Sequence, residues 1–228
     1  MLNMETLHRL QSLNFSLEKA RKLQIALSKR IICRDCFKIP IRYIAGVDVA
    51  YAYNQSIGAV AVLEYDSMKL VELETSKVTT RFPYIPTLLS FREVPPAASA
   101  IKKLRIKPDV FLVDGQGIAH PYRLGFASHL GLVLDVATVG VAKTLLCGRI
   151  AESESGFWKP IVHEGRIVGG AVSTRLNAKP VYVSIGHKVS LDTAIKIVLE
   201  CSRKHRAPEP IREAHIIAEK IKREYLSK

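Results

Sequence analysis

Cysteine is scarce in this chain, with Cys33, Cys36, Cys147 and Cys201 scattered over 228 positions. A disulfide framework needs more of them at closer spacing, so the pattern points to a reducing compartment. Long apolar runs are missing too. The longest, Leu130 to Ala142, is broken by Asp135 and is too short to cross a bilayer as a helix. The amino-terminal ten residues lack the charged-then-apolar plan of a secretory signal. The expectation is a soluble, cytoplasmic monomer with no membrane partner. No Gly-x-Ser-x-Gly elbow occurs and no cysteine sits in a catalytic motif with histidine, which disfavours serine and cysteine hydrolases. Cys33-x-x-Cys36 has one candidate complement, Cys201 with His205, far along the chain in a helix end, so no zinc site is expected. Acids are also in the minority. Against 21 Asp and Glu stand 34 Lys and Arg, a balance of +13 with a pI near 9.7. Such an excess favours a polyanionic partner, most economically a nucleic acid.

The remaining composition suits a globular core: 48% of the residues are hydrophobic. No repeat, low-complexity segment or long linker divides them, so residues 1–228 read as a single domain. Leu7, Leu10, Leu13, Leu17, Ala20, Leu23, Ile25 and Leu27 recur near helical period after and around the capping residue Ser16, predicting one or two outer helices. Lys19, Arg21, Lys22, Lys29 and Arg30 on that stretch read as a solvated face. Strand-like runs at 41–53, 57–65 and 68–78 are separated by Asn54-Gln55-Ser56 and Asp66-Ser67, turns short enough to make them antiparallel neighbours. Leu88, Leu89 and Phe91 suggest a short helical turn that stops before Pro95-Pro96, with a second helix after those prolines. A strand ending in Asp114, a Gly115-Gln116-Gly117 turn, a helix over 121–134 and a strand over 136–141 follow. Further strands at 156–162, 166–173 and 181–185 precede a helix capped by Ser190 and a last one opened by Pro208 or Pro210. The whole predicts an α/β fold with a mixed sheet, three antiparallel strands followed by parallel strands, flanked by helices.

Asp48 is the chemical puzzle. It lies inside the apolar run Tyr43 to Tyr53, where an ionised carboxylate without a partner costs several kcal/mol. An acid in the first strand, Glu93 on the first helical segment and Asp114 ending the fourth strand can converge in such a fold. A cluster of hard oxygen donors suits Mg²⁺, with Mn²⁺ able to substitute.

Gly-Val-Asp48, Pro83-Tyr-Ile-Pro86 with Phe-Arg-Glu93, Val-Asp114-Gly-Gln-Gly-Ile-Ala-His-Pro121, Gly125-Phe-Ala-Ser-His129 and Gly140-Val-Ala-Lys143 together resemble the endonuclease V family of the ribonuclease-H-like superfamily, from about Leu23 to His215. The resemblance implies a ribonuclease-H-like fold and a metal-dependent DNA repair endonuclease that recognises deoxyinosine and cuts the second phosphodiester bond 3′ to it. It implies Asp48 and Asp114 as metal ligands, Glu93 as the acid completing the site through a water, Lys143 beside the reacting phosphate and His215 near the nucleophilic water. Tyr84 resembles the family's wedge into the duplex. Many relatives have histidine where this chain has Gln116, which is assigned no role. Leu89, Gly115, Gly117 and Gly125 are expected to shape the base pocket, with the N–H groups of Gly115 and Gly117 as donors. Replacing Gly117 by Val is expected to weaken cleavage and spare folding. His120 and His129 are expected to hold the loop after Asp114. An inosine-specific endoribonuclease on the same fold is the alternative; a non-catalytic nucleic-acid-binding module would need a broken acid set.

Overall fold

The computed structural model describes residues 16–152 and 156–227. Leu7, Leu10 and Leu13 of the expected amino-terminal helical stretch lie outside the described residues. Ser16 caps helix α1, Leu17–Ser28, by accepting the Lys19 N–H. The face that α1 buries differs from the expected leucine stripe. Ala20 and Gln24 point inward while Leu17, Leu23 and Ile25 are exposed. The cause is what lies beneath: the carbonyls of Thr87 and Leu124 need a donor, and Gln24 supplies it.

Three ten-residue strands follow, β1 (Tyr43–Ala52), β2 (Gln55–Glu64) and β3 (Leu70–Thr79), each antiparallel to the next. After them come α2 (Ser90–Ile101), β4 (Val110–Asp114), α3 (Phe126–Leu134), β5 (Thr138–Ala142), β6 (Arg149–Ile150), β7 (Trp158–His163), β8 (Arg166–Val172), β9 (Val181–His187), α4 (Leu191–Glu200) and α5 (Glu209–Leu226). The nine strands form one sheet in the order β3-β2-β1-β4-β5-β9-β8-β7-β6. The expected mixed sheet is therefore present, and its parallel pairing is confined to β1–β4 and β4–β5. Strands β6 to β9 pair antiparallel, because tight turns rather than helices join β7 to β8.

Alternate residues of the central strands bury opposite faces. Ala45, Val47, Val60, Val62, Phe111 and Val113 pack against α2 and α3; Ile44, Leu112, Val139 and Val183 pack with α4 and the start of α5. Pro95 and Pro96 do not end the helix as the sequence suggests. They remove two N–H donors from α2, but tertiary contacts hold it continuous: Val94, Pro96, Ala97, Ala98 and Ala100 are buried, and Ser76 Oγ donates to Pro96 O at 2.6 Å. Gly58 of β2 allows this approach, since a Cβ there would fall 2.3 Å from Pro96 O. Gly46 of β1 does the same for α5 on the opposite face, where a Cβ would fall 1.9 Å from Pro210 O.

Candidate active site

Strand register brings the charged residues together before any side chain chooses a rotamer. Val47 pairs with Val113, and Asp114 pairs with Val141. Asp48, Asp114 and Lys143 then stand on one face at neighbouring strand ends, because side chains alternate with period two. Lys143 Nζ donates to Asp114 Oδ2 at 2.7 Å. Helix α5, seated on Gly46, carries His215 to the same place, with its Nδ1 2.7 Å from Asp48 Oδ2. The other Asp48 oxygen accepts the Val49 N–H at 2.8 Å. The acid that looked partnerless in sequence thus has a direct partner from the last helix.

Glu93 joins from the first turn of α2. Burial first, then the charges of Asp48 and Asp114, push its carboxyl up to about 8. The Asp114 carboxyl is also raised, by burial and then by Asp48, with Lys143 offsetting part of the effect. Burial would lower the Lys143 ammonium, but its hydrogen bond to Asp114 and the charges of Asp114 and Asp48 hold it above the ordinary value. Three crowded carboxyls with one lysine and one imidazole leave negative charge to be offset. Asp48, Asp114 and His215 each offer a ligand atom, all within 4.8 Å of one another, and this donor set fits a divalent cation. Cys33, Cys36, Cys201 and His205 form no such group among the described residues.

A cavity of about 420 Å³ opens beside these groups, with Glu93, Asp114 and Lys143 on one side and Tyr84, Leu89, Gly115 and Gly125 around it. Tyr84 is 62% exposed, while its neighbours Ile85 and Leu88 are buried and anchor the loop that presents it. The glycines act differently from expectation. Gly115 N–H donates to Val141 O at 3.1 Å and Gly117 N–H to Ser184 Oγ at 2.8 Å, so neither is available to a ligand. Gly117 is buried away from the cavity, and a Cβ on it would fall 2.0 Å from Ile185 O. A valine there would disrupt folding, which reverses the expectation that it would spare it. Gly125 lines the cavity at the cap of α3, and its N–H goes to Gly117 O.

Both histidines near the loop are neutral and structural. His120 Nδ1 accepts the Tyr122 N–H at 3.1 Å, and His129 pairs with Ser90 Oγ at 3.1 Å; burial lowers each to about 4. Several neighbours of the site carried no signal in sequence. Gln116 lines the cavity and ties two loops by donating from Nε2 to Thr144 O. The Arg92 guanidinium lies 4.3 Å from the ring centre of Tyr51, whose hydroxyl is raised first by burial and then by the charge of Glu93. The charge of Arg92, the residue preceding Glu93, offsets part of the rise in the Glu93 carboxyl.

No helix among the described residues is long and apolar enough to cross a membrane. The sequence profile described as Endonuclease V matches residues 25–216. An Endonuclease V of Trichormus variabilis is 48% identical over 207 residues, covering 89% of this chain and 94% of that protein. One from Thermofilum pendens is 47% identical over 212 residues, covering 92% and 90%. Among solved structures, the Endonuclease V of Streptomyces avermitilis superposes with a TM-score of 0.86 at 34% identity, covering 92% of this chain and 94% of that one. That of Ciona intestinalis, solved with a 24-mer DNA containing an inosine followed by a ribo-adenosine, superposes with a TM-score of 0.83 at 32% identity, covering 92% and 98%. The chain belongs to the endonuclease V family of nucleases.

Proposed function

We propose that this chain is a divalent-metal-dependent endonuclease that recognises deoxyinosine in DNA and hydrolyses the second phosphodiester bond on its 3′ side. The observation that carries this is the clustering of Asp48, Asp114 and His215 with Glu93 and Lys143, of which Glu93, Asp114 and Lys143 line a cavity that also holds Tyr84. The excess of basic residues supports a nucleic acid partner.

Asp48 and Asp114 would hold the ion, Mg²⁺ or Mn²⁺, with Glu93 completing the set. When bound, it lowers the pKa of water and offsets charge on the scissile phosphate. The chain's own residues supply the rest. An ionised Asp48 can only accept, so His215 donates from Nδ1 and keeps Nε2 free to take a proton from the attacking water. The Lys143 ammonium stands where the phosphate gathers negative charge, a placement worth roughly 10²–10³ in rate for a comparable donor. Tyr84 fills the gap in the stack when the base leaves it, and Leu89 and the close-packed Gly115–Gly125 wall receive the base. Hypoxanthine pairs weakly with thymine, so its eversion costs less than that of a sound base. Its N1–H and O6 distinguish it from adenine, and a tight wall rejects the 2-amino group of guanine.

Inosine followed by a ribonucleotide is a second substrate to weigh, because the Ciona relative is solved with such a strand. Matched deoxyinosine DNA, inosine RNA and undamaged strands, cut under single-turnover conditions, test the assignment. Fastest cutting of the deoxyinosine duplex is expected; equal cutting of undamaged strands would refute it.

A further inference from the structure

Helix α1 has no part in the chemistry above, yet it carries a fully buried glutamine. Gln24 Nε2 donates to Thr87 O at 2.7 Å and to Leu124 O at 3.3 Å, and its Oε1 accepts from Arg21 Nη1 at 3.0 Å. Arg21 donates from Nη2 to Pro86 O at 3.2 Å and lies 4.3 Å over the Tyr122 ring. Two side chains one helical turn apart thus clasp the 83–89 loop to the 118–125 loop. Both loops reach the same cavity, the first through Tyr84 and Leu89, the second through His120 and Gly125.

The residue that Gln24 grips is itself strained. Thr87 has φ +68, a left-handed backbone that a β-branched residue adopts only when its surroundings over-determine it. It sits three residues after Tyr84 and two before Leu89. Its bend therefore sets both the direction in which Tyr84 leaves the surface and the depth at which Leu89 enters the cavity. A carboxamide with both ends satisfied and no exposure is a rigid brace for that bend.

We propose that Gln24, braced by Arg21, is a positioning residue for base discrimination: it locks Thr87 in its left-handed turn and so fixes Tyr84 relative to the cavity that receives the everted base. This rests on Tyr84 being the element that enters the duplex. The test places 2-aminopurine next to deoxyinosine in a duplex and reads its fluorescence at saturating protein in chelator, so that unstacking is seen without cleavage. Wild type raises the signal above that of an undamaged duplex. Gln24→Leu lowers the rise roughly five- to tenfold, the scale of one lost buried hydrogen bond. Thr87→Gly, which takes the left-handed turn unaided, restores most of it in the Gln24→Leu background. Arg21→Met gives a smaller loss in the same direction and stands in should Gln24→Leu melt below the assay temperature. A wild type with no rise would remove the base-eversion assignment and this proposal with it. A wild-type rise matched by both variants, or a loss that Thr87→Gly leaves uncorrected, would overturn the proposal alone.

Discussion

His215 Nδ1 and Asp48 Oδ2 are 2.7 Å apart although 167 residues separate them in sequence. The contact exists because α5 lies directly on β1 at Gly46, where any side chain would strike Pro210 O. Gly46→Ala should push the start of α5 off the sheet, costing about 1–3 kcal/mol as overpacking does. For a chain of this size that is roughly 2–4 °C of Tm per kcal/mol. Turnover should fall with it as His215 shifts; thermal melts and single-turnover rates on the same preparation check both. An unchanged rate in a destabilised protein would separate His215 from the chemistry.

Glu93 is held in a setting that costs stability, which the proposed function explains as the requirement of a metal site. Its carboxyl is raised to about 8 by burial and by Asp48 and Asp114. Glu93→Gln removes the crowding while keeping the shape, so in chelator its Tm should exceed that of the wild type. Its rate with metal should drop by at least about tenfold to a hundredfold, the usual effect of disturbing a group that supports a metal site. A lower Tm in chelator would show that Glu93 is a structural acid instead.

The same group sets a pH dependence. The folded protein keeps the Glu93 proton up to about 8, whereas the unfolded chain releases it near the ordinary 4.5. Between those values the folded state holds this proton and the unfolded state does not, so the contribution of Glu93 to stability falls as pH rises and is level below and above the window. Metal-free wild type should therefore lose more melting temperature than Glu93→Gln between about pH 5.5 and about pH 8, because the opposite contributions of the buried His120 and His129 are common to both proteins. A divalent ion needs the ionised form, so it should flatten this slope and bind more tightly as pH rises. Calorimetric melts with and without Mg²⁺ measure both effects.

The wedge role proposed for Tyr84 can be tested apart from stability. At 62% exposure it contributes little to packing, and Tyr84→Ala should leave Tm almost unchanged, within about 0.5 kcal/mol of stability. Cleavage of duplex deoxyinosine should slow roughly tenfold or more as the base must leave the stack unaided. A single-stranded substrate should be cut at nearly the wild-type rate, since it has no stack to open. Equal losses on both substrates would remove the wedge role.

The strands of the first half were legible because β1, β2 and β3 are bounded by turn-formers and rich in β-branched residues. Asp48 announced itself by being the wrong residue for its surroundings. What stayed hidden depends on contacts between distant segments. Pro95 and Pro96 look like helix breakers until Gly58 and Ser76 are seen holding α2 from below. Gln24 looks like one more polar residue on an outer helix until the carbonyls of Thr87 and Leu124 are placed over it. Gly117 resembles a ligand-binding glycine because its freedom is visible in sequence, whereas the oxygen of Ile185 that demands that freedom is not. His215 could be suggested by family resemblance alone; its 2.7 Å contact with Asp48 required the fold.

The most direct measurement is incubation of the pure protein with a 5′-labelled duplex carrying one deoxyinosine, in Mg²⁺, in Mn²⁺ and in chelator. The expected result is one labelled product, cut at the second phosphodiester bond 3′ of the lesion with either ion and absent in chelator, while Asp48→Ala binds the duplex without cutting it. Cleavage in chelator, or none with either ion, would contradict the assignment of the Asp48–Glu93–Asp114 cluster as a metal-dependent nuclease centre.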